Sequence, residues 1–301
     1  MSLNVKEIAS EEFGNCALLT TENFEVLVTL DYGPRIVRAH KTDGENLIYN
    51  DVDPDLSINH GHKMGITVDR STNRIYCDNS PVRYTPEADG VHFFQTITEP
   101  AQLEVAMDII FSDDKDSFTV EHSVYNKSKD EVKVSIYTET PFRNDGFVFI
   151  PQNVIKDPER PSRILTLWED CKWSDSRLFI GDEFVTVHAE TADDGQFVDI
   201  NKLKPRLKIG VNDTDGIGGY IGDSGIFIKK YVHNRAALYP FYNCSAFATA
   251  HEEFLSIQTT SPFYLIASDE SARHEEIWKF AENNETIVYN DEAAIEKVML
   301  K

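Results

Sequence analysis

The chain has 301 residues, of which 51 are Asp or Glu and 29 are Lys or Arg, so its formal net charge is −22. That charge argues against nucleic acid or an anionic membrane surface as a partner, because both need clustered Lys and Arg. The hydrophobic content of 41%, with 11% aromatic residues, is enough for a packed core and argues against disorder.

The N-terminal segment and the cysteines indicate the compartment. The segment MSLNVKEIASEE lacks the apolar stretch of a signal peptide, and no apolar run approaches the ~18 residues that span a bilayer. The four cysteines, Cys16, Cys77, Cys171 and Cys244, form no CxxC pair and lack metal-finger spacing. We therefore expect free thiols in a cytoplasmic protein.

Alternation of apolar and polar residues with a period of two, which is typical of half-buried β-strands, recurs along the chain. In chain order it covers residues 24–30, 118–124 and 132–137, and further strands are predicted between residues 208 and 280. Helical signals are few. Residues 290–301 predict one short helix capped by Asn290 or Asp291, and residues 271–281 also admit a helix.

Asp-Gly pairs mark turns or hairpins at residues 43–44, 89–90, 194–195 and 215–216. The first pair lies between the apolar segments RIVRAH and NLIY and predicts a hairpin. We find no βαβ alternation, nucleotide-binding glycine loop or internal repeat. The pattern predicts an all-β fold: one domain over residues 1–301, a large antiparallel β-sandwich with few short helices.

Four segments, in order, resemble the galactose mutarotase-like (aldose 1-epimerase-like) superfamily, and in particular an uncharacterised bacterial branch of it. They are DYGPRIVRAHKTDGENLIYND, INHGHKMGITVDRSTNRIYCDNSPVRY, RILTLWEDCKWSDSRLFIGDEFVTVH, and the closing strands from KIGVND to HEEIWKF. The resemblance implies the supersandwich fold of that superfamily, whose members include mutarotases, hexose-phosphate epimerases and non-catalytic sugar binders. Because one fold hosts many functions, only the residues of the functional site can distinguish between these activities.

Mutarotation opens the hemiacetal ring of a sugar and closes it on the other face, which needs an acid for the ring oxygen and a base for the anomeric hydroxyl. In mutarotases a histidine is the acid and a late glutamate is the base. The resemblance implies that His62 is the acid, with His60 and Lys63 binding substrate, and it places Gln258 at the position of the base. A neutral amide takes no proton at pH 7, although it can hydrogen-bond a sugar hydroxyl.

Two alternatives concern the same residues. A compensating base could come from Glu252 or Glu253. His60 and His62 could instead be a metal pair on alternate strand positions, but that pair needs further ligands, and the glycines around it favour a loop. We predict no metal and no cofactor.

Aromatic and polar residues in the resembling segments fit a sugar-lined cleft, because rings stack on the apolar face of a pyranose while polar groups hold its hydroxyls. Trp173, Tyr239 and Tyr242 are candidates for stacking, and Trp168 is a candidate for either stacking or the core. Asn79 and Arg177 lie in turn-rich segments, where each either positions substrate or builds the turn.

Three basic residues are candidate ligands of an anionic sugar. Lys229 and Lys230 interrupt the apolar segment GIFIKKYV, and alternation turns one of them inward. An inward Lys229 over a cleft would bind the carboxylate of a uronic acid or the phosphate of a sugar phosphate, whereas a lysine on an edge strand would snorkel to solvent. Arg35, which follows Gly33-Pro34, is the other predicted anion ligand.

Two functional hypotheses follow. The first is a carbohydrate-binding protein with aldose 1-epimerase-like isomerase activity on a monosaccharide or sugar phosphate. The second is a non-catalytic sugar-binding or sensing module that has lost the catalytic base. Both predict a small-molecule carbohydrate as the partner and a monomer or homodimer, with neither nucleic acid nor membrane.

Overall fold

A computed structural model gives the structure of the chain and describes residues 2–50, 61–68, 74–76, 80–98, 102–152, 165–189 and 206–300. Of residues 74–76 and 96–98 it describes the backbone only.

The described residues form strands throughout, with two short helices. In the first half of the chain the strands are β1 (Asn4–Ser10), β2 (Gly14–Thr20), β3 (Phe24–Thr29), β4 (Ile36–Lys41), β5 (Lys63–Val68), β6 (Arg74–Tyr76), β7 (Arg83–Pro86), β8 (Gly90–Thr98), β9 (Leu103–Phe111), β10 (Ser117–Asn126), β11 (Val132–Arg143) and β12 (Gly146–Pro151). In the second half they are β13 (Leu165–Leu167), β14 (Leu178–Ile180), β15 (Phe184–His188), β16 (Leu207–Val211), β17 (Ile217–Gly222), β18 (Gly225–Tyr231), β19 (Ala246–Ala250), β20 (Phe254–Thr260), β21 (Tyr264–Ile266) and β22 (Ser271–Ala281). The helices are α1 (Pro240–Asn243) and α2 (Glu292–Leu300).

The strands form three antiparallel sheets. The four-stranded sheet has the order β1-β2-β3-β4, and the ten-stranded sheet has the order β14-β15-β12-β17-β18-β22-β10-β9-β8-β7. The eight-stranded sheet has the order β13-β16-β19-β20-β11-β5-β6, with β21 paired to β11 as well. The predicted all-β sandwich with few short helices is confirmed.

The eight-stranded and ten-stranded sheets pack face to face. Leu255 and Ile257, at alternate positions of β20, are buried in the same apolar cluster as Val148 of β12, and β12 contacts both β19 and β20. Because successive side chains of a strand point to opposite faces, Ser256 and Gln258 lie on the other face of the eight-stranded sheet. We call the face that carries them the outer face.

Aromatic rings attach the four-stranded sheet to the ten-stranded sheet. Phe24 of β3 lies 6.2 Å from Phe111, 5.2 Å from Phe118 and 6.1 Å from Phe280, measured between ring centroids. Phe118 also packs against Trp278 at 5.7 Å. All these rings are buried. An isolated bridge between Ile36 and His62 joins β4 to the residue that precedes β5.

The predicted turns are borne out in part. The hairpin at Asp89-Gly90 is confirmed, since β7 pairs with β8 and Glu87 N donates to Gly90 O at 2.8 Å. The hairpin predicted around Asp43-Gly44 is wrong: the turn forms, but Ile48 then pairs with Phe142 of the eight-stranded sheet. A turn residue pair specifies the reversal of the chain, not the strand that the chain meets next. The pair at 194–195 lies outside the described residues.

The C-terminal helix is confirmed as α2. Asp291 Oδ1 accepts a hydrogen bond from Ala294 N at 3.1 Å, and Ile295 and Val298 are buried. The helical option for residues 271–281 is wrong, because this segment is β22, a central strand between β18 and β10. Its buried residues alternate with a period of two. Within the described residues, no helix has the length and apolarity needed to cross a membrane.

Phe118→Ala should loosen both sheets that its ring joins. We expect the free energy of unfolding in urea to fall by about 3–5 kcal/mol, because the substitution removes a buried ring and leaves a cavity. Thr119→Ala is the matched control, since its side chain points to the opposite face of the same strand. A loss below about 1 kcal/mol for Phe118→Ala would contradict the packing described above.

Candidate functional site

Cross-strand register places polar side chains in rows on the outer face. In one row Lys63 pairs with Glu139, Glu139 with Gln258, and Gln258 with Phe247. In the next row Lys208 pairs with Thr249, and Thr249 with Ser256. We call these seven residues the outer-face site. All seven are buried, although outward side chains of a sheet are commonly exposed.

Glu139 is the carboxylate of the outer-face site. Its Oε1 accepts hydrogen bonds from Gln258 Nε2 at 2.6 Å and from Ser256 Oγ at 3.0 Å, and its Oε2 lies 3.8 Å from Lys63 Nζ. Burial acts to raise the pKa of Glu139, but Lys63, His251, Lys208 and the bond from Gln258 outweigh it and lower the pKa to about 2. The carboxylate is therefore ionised at neutral pH and is a weak proton acceptor.

Gln258 bridges a carboxylate and an ammonium group. Its Nε2 donates to Glu139, and its Oε1 accepts from Lys208 Nζ. A glutamate at this position would place a second carboxylate within hydrogen-bond distance of Glu139, and like charges at that distance repel strongly. The amide, which both donates and accepts, is thus the group that suits these two neighbours.

Aromatic rings border the site around Lys208. Its Nζ lies 4.8 Å from the ring centroids of Trp168 and Phe247 and 5.5 Å from that of Tyr137. These distances allow cation–π attraction. The rings also give the site an apolar border next to its charged groups.

Two further side chains complete this region. Thr249 Oγ1 is fully buried and has no hydrogen-bond partner among the described residues, and a buried hydroxyl without a partner costs stability. His251 stacks on Phe254 at 4.1 Å. Burial lowers the pKa of His251 to about 4, against the opposing effect of Glu139, so its ring is neutral at pH 7.

A second polar group lies between the eight-stranded and ten-stranded sheets. We call it the inner cluster, and it consists of His62, His122, Thr138, Thr140, Lys229, Thr259, His274 and Glu276. Every one of these residues is buried.

Glu276 is the centre of the inner cluster. Its carboxylate accepts from Thr138 Oγ1 at 2.5 Å, Thr259 Oγ1 at 2.6 Å, Lys229 Nζ at 3.0 Å and Trp278 Nε1 at 2.9 Å. Burial acts to raise the pKa of Glu276, but the Lys229 ammonium outweighs it and holds that pKa well below its usual range. The carboxylate and the ammonium thus form a buried ion pair.

His62 extends the inner cluster. Its Nδ1 lies 2.8 Å from Thr140 Oγ1, its Nε2 lies 3.0 Å from His122 Nε2, and Thr140 Oγ1 also accepts from Lys229 Nζ at 2.7 Å. Burial, with the charge of Lys229, holds the pKa of His62 well below its usual range. Burial also lowers the pKa of His122 to about 3. Both imidazoles are therefore neutral at pH 7, and one ring nitrogen donates to the other.

The ligand atoms of His62, His122 and Glu276 lie within 4.8 Å of one another, which is close enough to consider a metal ion. The donor set fits a metal poorly, however, because the Glu276 carboxylate already accepts four hydrogen bonds, one of them from an ammonium group. A divalent ion would have to displace Lys229 or lie beside its positive charge. The inner cluster therefore balances the charge of Glu276 without a metal.

The structure does not bring the predicted acid and the predicted base position together. His62 belongs to the inner cluster, whereas Gln258 belongs to the outer-face site, so the two lie on opposite faces of the eight-stranded sheet. The mutarotase arrangement, in which an acid and a base act on the same sugar ring, therefore does not form between these two residues. Lys63, next to His62 in the sequence, points to the outer face and joins Gln258 through Glu139.

Lys229 is the inward lysine of its pair, and Lys230 is exposed. Strand β18 lies between β17 and β22, so Lys229 is not an edge-strand lysine. Its ammonium group binds Glu276 of this same chain, between the two sheets.

The other predicted site residues are scattered. Arg177 is buried and forms a two-pronged bond to Asp175, with distances of 3.0 and 2.8 Å. Arg35 is buried beside Tyr32 in the connection between β3 and β4, and Tyr239 stacks on His233 at 4.7 Å. Trp173 is 56% exposed. His60 and Asn79 lie outside the described residues.

Sequence reasoning missed Glu139, Lys208 and Thr249 of the outer-face site and Glu276 and His122 of the inner cluster. A signal existed for Glu276, since it alternates with Ala272, His274, Trp278 and Phe280 and so takes an inward position. No local pattern identifies Glu139 as the partner of Gln258, because 119 residues separate them.

No protein-family model and no curated protein matches the chain, but solved structures do. A TPR-domain containing protein from Parabacteroides distasonis has a TM-score of 0.59 at 12% identity over 91% of this chain and 48% of its own, so this chain spans about half its length. A proposed aldose 1-epimerase from Klebsiella pneumoniae has a TM-score of 0.61 at 10% identity, over 99% of this chain and 86% of its own. A galactose mutarotase-like protein from Clostridium acetobutylicum has a TM-score of 0.55 at 12% identity, over 93% of this chain and 99% of its own. At these identities the matches show a shared fold and no more.

Removing one partner of the buried Lys229–Glu276 ion pair should destabilise the fold more than removing both partners together. We expect Glu276→Gln and Lys229→Met each to lower the free energy of unfolding by about 3–5 kcal/mol, because each leaves one buried charge without its partner. The double variant should recover part of that loss. Glu45→Gln, in a surface pair with Arg143 at 3.2 Å, is the control and should cost less than about 1 kcal/mol. Equal losses from the two pairs, measured in urea, would contradict the burial of charge described here.

Acid should destabilise the fold through its buried histidines. Burial lowers the pKa of His122 to about 3 and the pKa of both His251 and His274 to about 4. Between those values and 6.5 the unfolded chain binds more protons than the folded one. Stability should therefore be highest above pH 6.5 and fall as the pH drops toward 4, by about 1.4 kcal/mol per pH unit for each histidine. Asp213 offsets part of this fall, because burial raises its pKa to about 7 and it takes up its proton in the folded chain first. Urea unfolding at several pH values measures the slope. His251→Asn should reduce this slope by about 1.4 kcal/mol per pH unit, the contribution of one histidine. A free energy of unfolding that does not change with pH in this range would contradict the lowered pKa values of the histidines.

Proposed function

We propose that this chain, which has the galactose mutarotase-like fold, is a carbohydrate-binding protein whose ligand lies on the outer-face site. The observation that carries the proposal is that the cross-strand rows put ionised, amide and hydroxyl groups beside aromatic rings on one face of a sheet. Sugars need both kinds of surface, since their hydroxyls donate and accept while their C–H faces are apolar.

Each group has a part in binding. The ionised Glu139 accepts hydrogen bonds from sugar hydroxyls, and the lysines Lys63 and Lys208 donate to sugar oxygens. Trp168 and Phe247 offer ring faces for the apolar side of a pyranose. The Thr249 hydroxyl, buried without a partner among the described residues, gains one when a sugar hydroxyl meets it.

An isomerase is the second candidate function, and the observation that favours it is a carboxylate 2.6 Å from Gln258. Glu139 stands where it could take the proton that an amide cannot, with His251 as the nearby imidazole. General acid–base catalysis works best with pKa values near the operating pH. The pKa of Glu139 is lowered to about 2 and that of His251 to about 4. Binding is therefore the function that the geometry supports best.

Proton NMR of freshly dissolved aldoses separates the two functions. The panel contains hexoses, hexose 6-phosphates and uronic acids. We expect saturation transfer from the protein to at least one sugar, with the α/β equilibration rate unchanged. Faster equilibration that Glu139→Gln abolishes would instead establish the isomerase. No saturation transfer across the panel would contradict sugar binding.

Affinity of variants then locates the site. We expect Glu139→Gln to weaken sugar binding by about 10- to 100-fold, because hydrogen bonds to a charged group are worth about 1.5–3 kcal/mol. Glu275→Gln is the control, since Glu275 is exposed on β22. Thr249→Val should weaken binding while leaving the melting temperature equal or higher, because it removes a buried hydroxyl that has no partner among the described residues. Unchanged affinity in both site variants would place the sugar elsewhere.

A further inference from the structure

Three consecutive residues near the outer-face site have left-handed backbone conformations. The φ angles are +52° at Phe241, +61° at Tyr242 and +64° at Asn243. Asparagine tolerates this region, but bulky residues rarely occupy it. The short helix α1 is therefore not right-handed at its centre. We call residues 239–243 the strap.

The surroundings hold the strap in place at two points. At its base, Tyr239 N donates to Asn243 Oδ1 at 2.9 Å, Tyr239 OH accepts from Asn234 N at 2.8 Å, and the Tyr239 ring stacks on His233. At its centre, the Phe241 ring lies 6.4 Å from Trp168 and 6.0 Å from Phe247. These two rings flank Lys208 in the outer-face site. The strap thus borders that site.

Tyr242 gains little from folding. Its side chain is 86% exposed, so its ring buries almost no apolar surface, and its left-handed backbone favours glycine or asparagine instead. Residues held in such conformations cluster at ligand-binding sites, where the strain is part of the function. Tyr242 is thus a strained and exposed aromatic residue that directly follows Phe241, whose ring contacts the aromatic border of the site. Such a residue is suited to contact a ligand.

We propose that Tyr242 is a sugar-stacking residue that determines specificity at the rim of the outer-face site. Its ring packs on the C–H face of a pyranose whose hydroxyls reach the polar rows below. This inference rests on the proposed function and adds a substrate preference to it. Stacking on the Tyr242 ring would favour pyranoses with an open apolar face. The strap holds the ring before the sugar arrives, so little conformational entropy is lost on binding.

The test compares variants of Tyr242 by isothermal titration with the sugar of the NMR panel that the wild type binds. We expect Tyr242→Ala to weaken binding about 5- to 10-fold, the size of an aromatic contact, and Tyr242→Phe to stay within about twofold, because stacking uses the ring and not the hydroxyl. Leu238→Ala is the control, because Leu238 is 71% exposed in the same connection and lies outside the site. It should change nothing.

Tyr242→Gly separates a functional role from a structural one. Glycine adopts positive φ without strain, so this variant should melt at or above the temperature of Tyr242→Ala while losing as much affinity. Wild-type-like binding by Tyr242→Ala, with binding still lost in Glu139→Gln, would overturn this inference and leave the proposed function standing. A wild type that binds no sugar of the panel would overturn both.

Discussion

The ion pair between Lys229 and Glu276 constrains the rest of the structure. A charge removed from water costs several kcal/mol unless hydrogen bonds and an opposite charge replace the solvent. Here the donors come from β11, β18, β20 and β22, which belong to both large sheets. The two sheets can satisfy this carboxylate only in one relative position and register, so the inner cluster selects the alignment of the sandwich.

The same alignment sets up the outer-face site. Thr138 and Thr140 belong to the inner cluster, and Glu139 between them points to the opposite face. Thr259 contacts Glu276, while the adjacent Gln258 points outward to Glu139. Because side chains alternate along a strand, fixing the inward threonines also fixes the outward pair. The inner and outer polar groups are two sides of the same strands, which makes the inner cluster a support for the site.

Two residues at the outer-face region depart from what folding alone would favour. Thr249 buries a hydroxyl without a partner among the described residues, and Tyr242 holds a strained backbone with an exposed ring. Departures from local consistency are expected where function competes with stability. Gln258 shows the opposite behaviour, since its amide satisfies both Glu139 and Lys208. The carboxylate of the outer face is Glu139 on β11, and the uncharged amide of Gln258 on β20 can lie next to it without charge repulsion.

The sequence by itself determined the all-β class, several strands, the short C-terminal helix and the likeness to the mutarotase-like fold. Each of these depends on residues near one another in the chain, because periodicity, caps and motif order are local signals. It did not determine that His62 points inward and Lys63 outward, that residues 271–281 form a central strand, or that Glu139 faces Gln258. Those facts depend on which strands become neighbours and in what register. Hydrogen bonds that join Gln258 to Glu139 across 119 positions, or Lys229 to Glu276 across 47, leave no local pattern. These contacts are determined only by the packing of the sheets, because strand pairing joins residues that are distant in sequence and depends on the burial and charge of both partners.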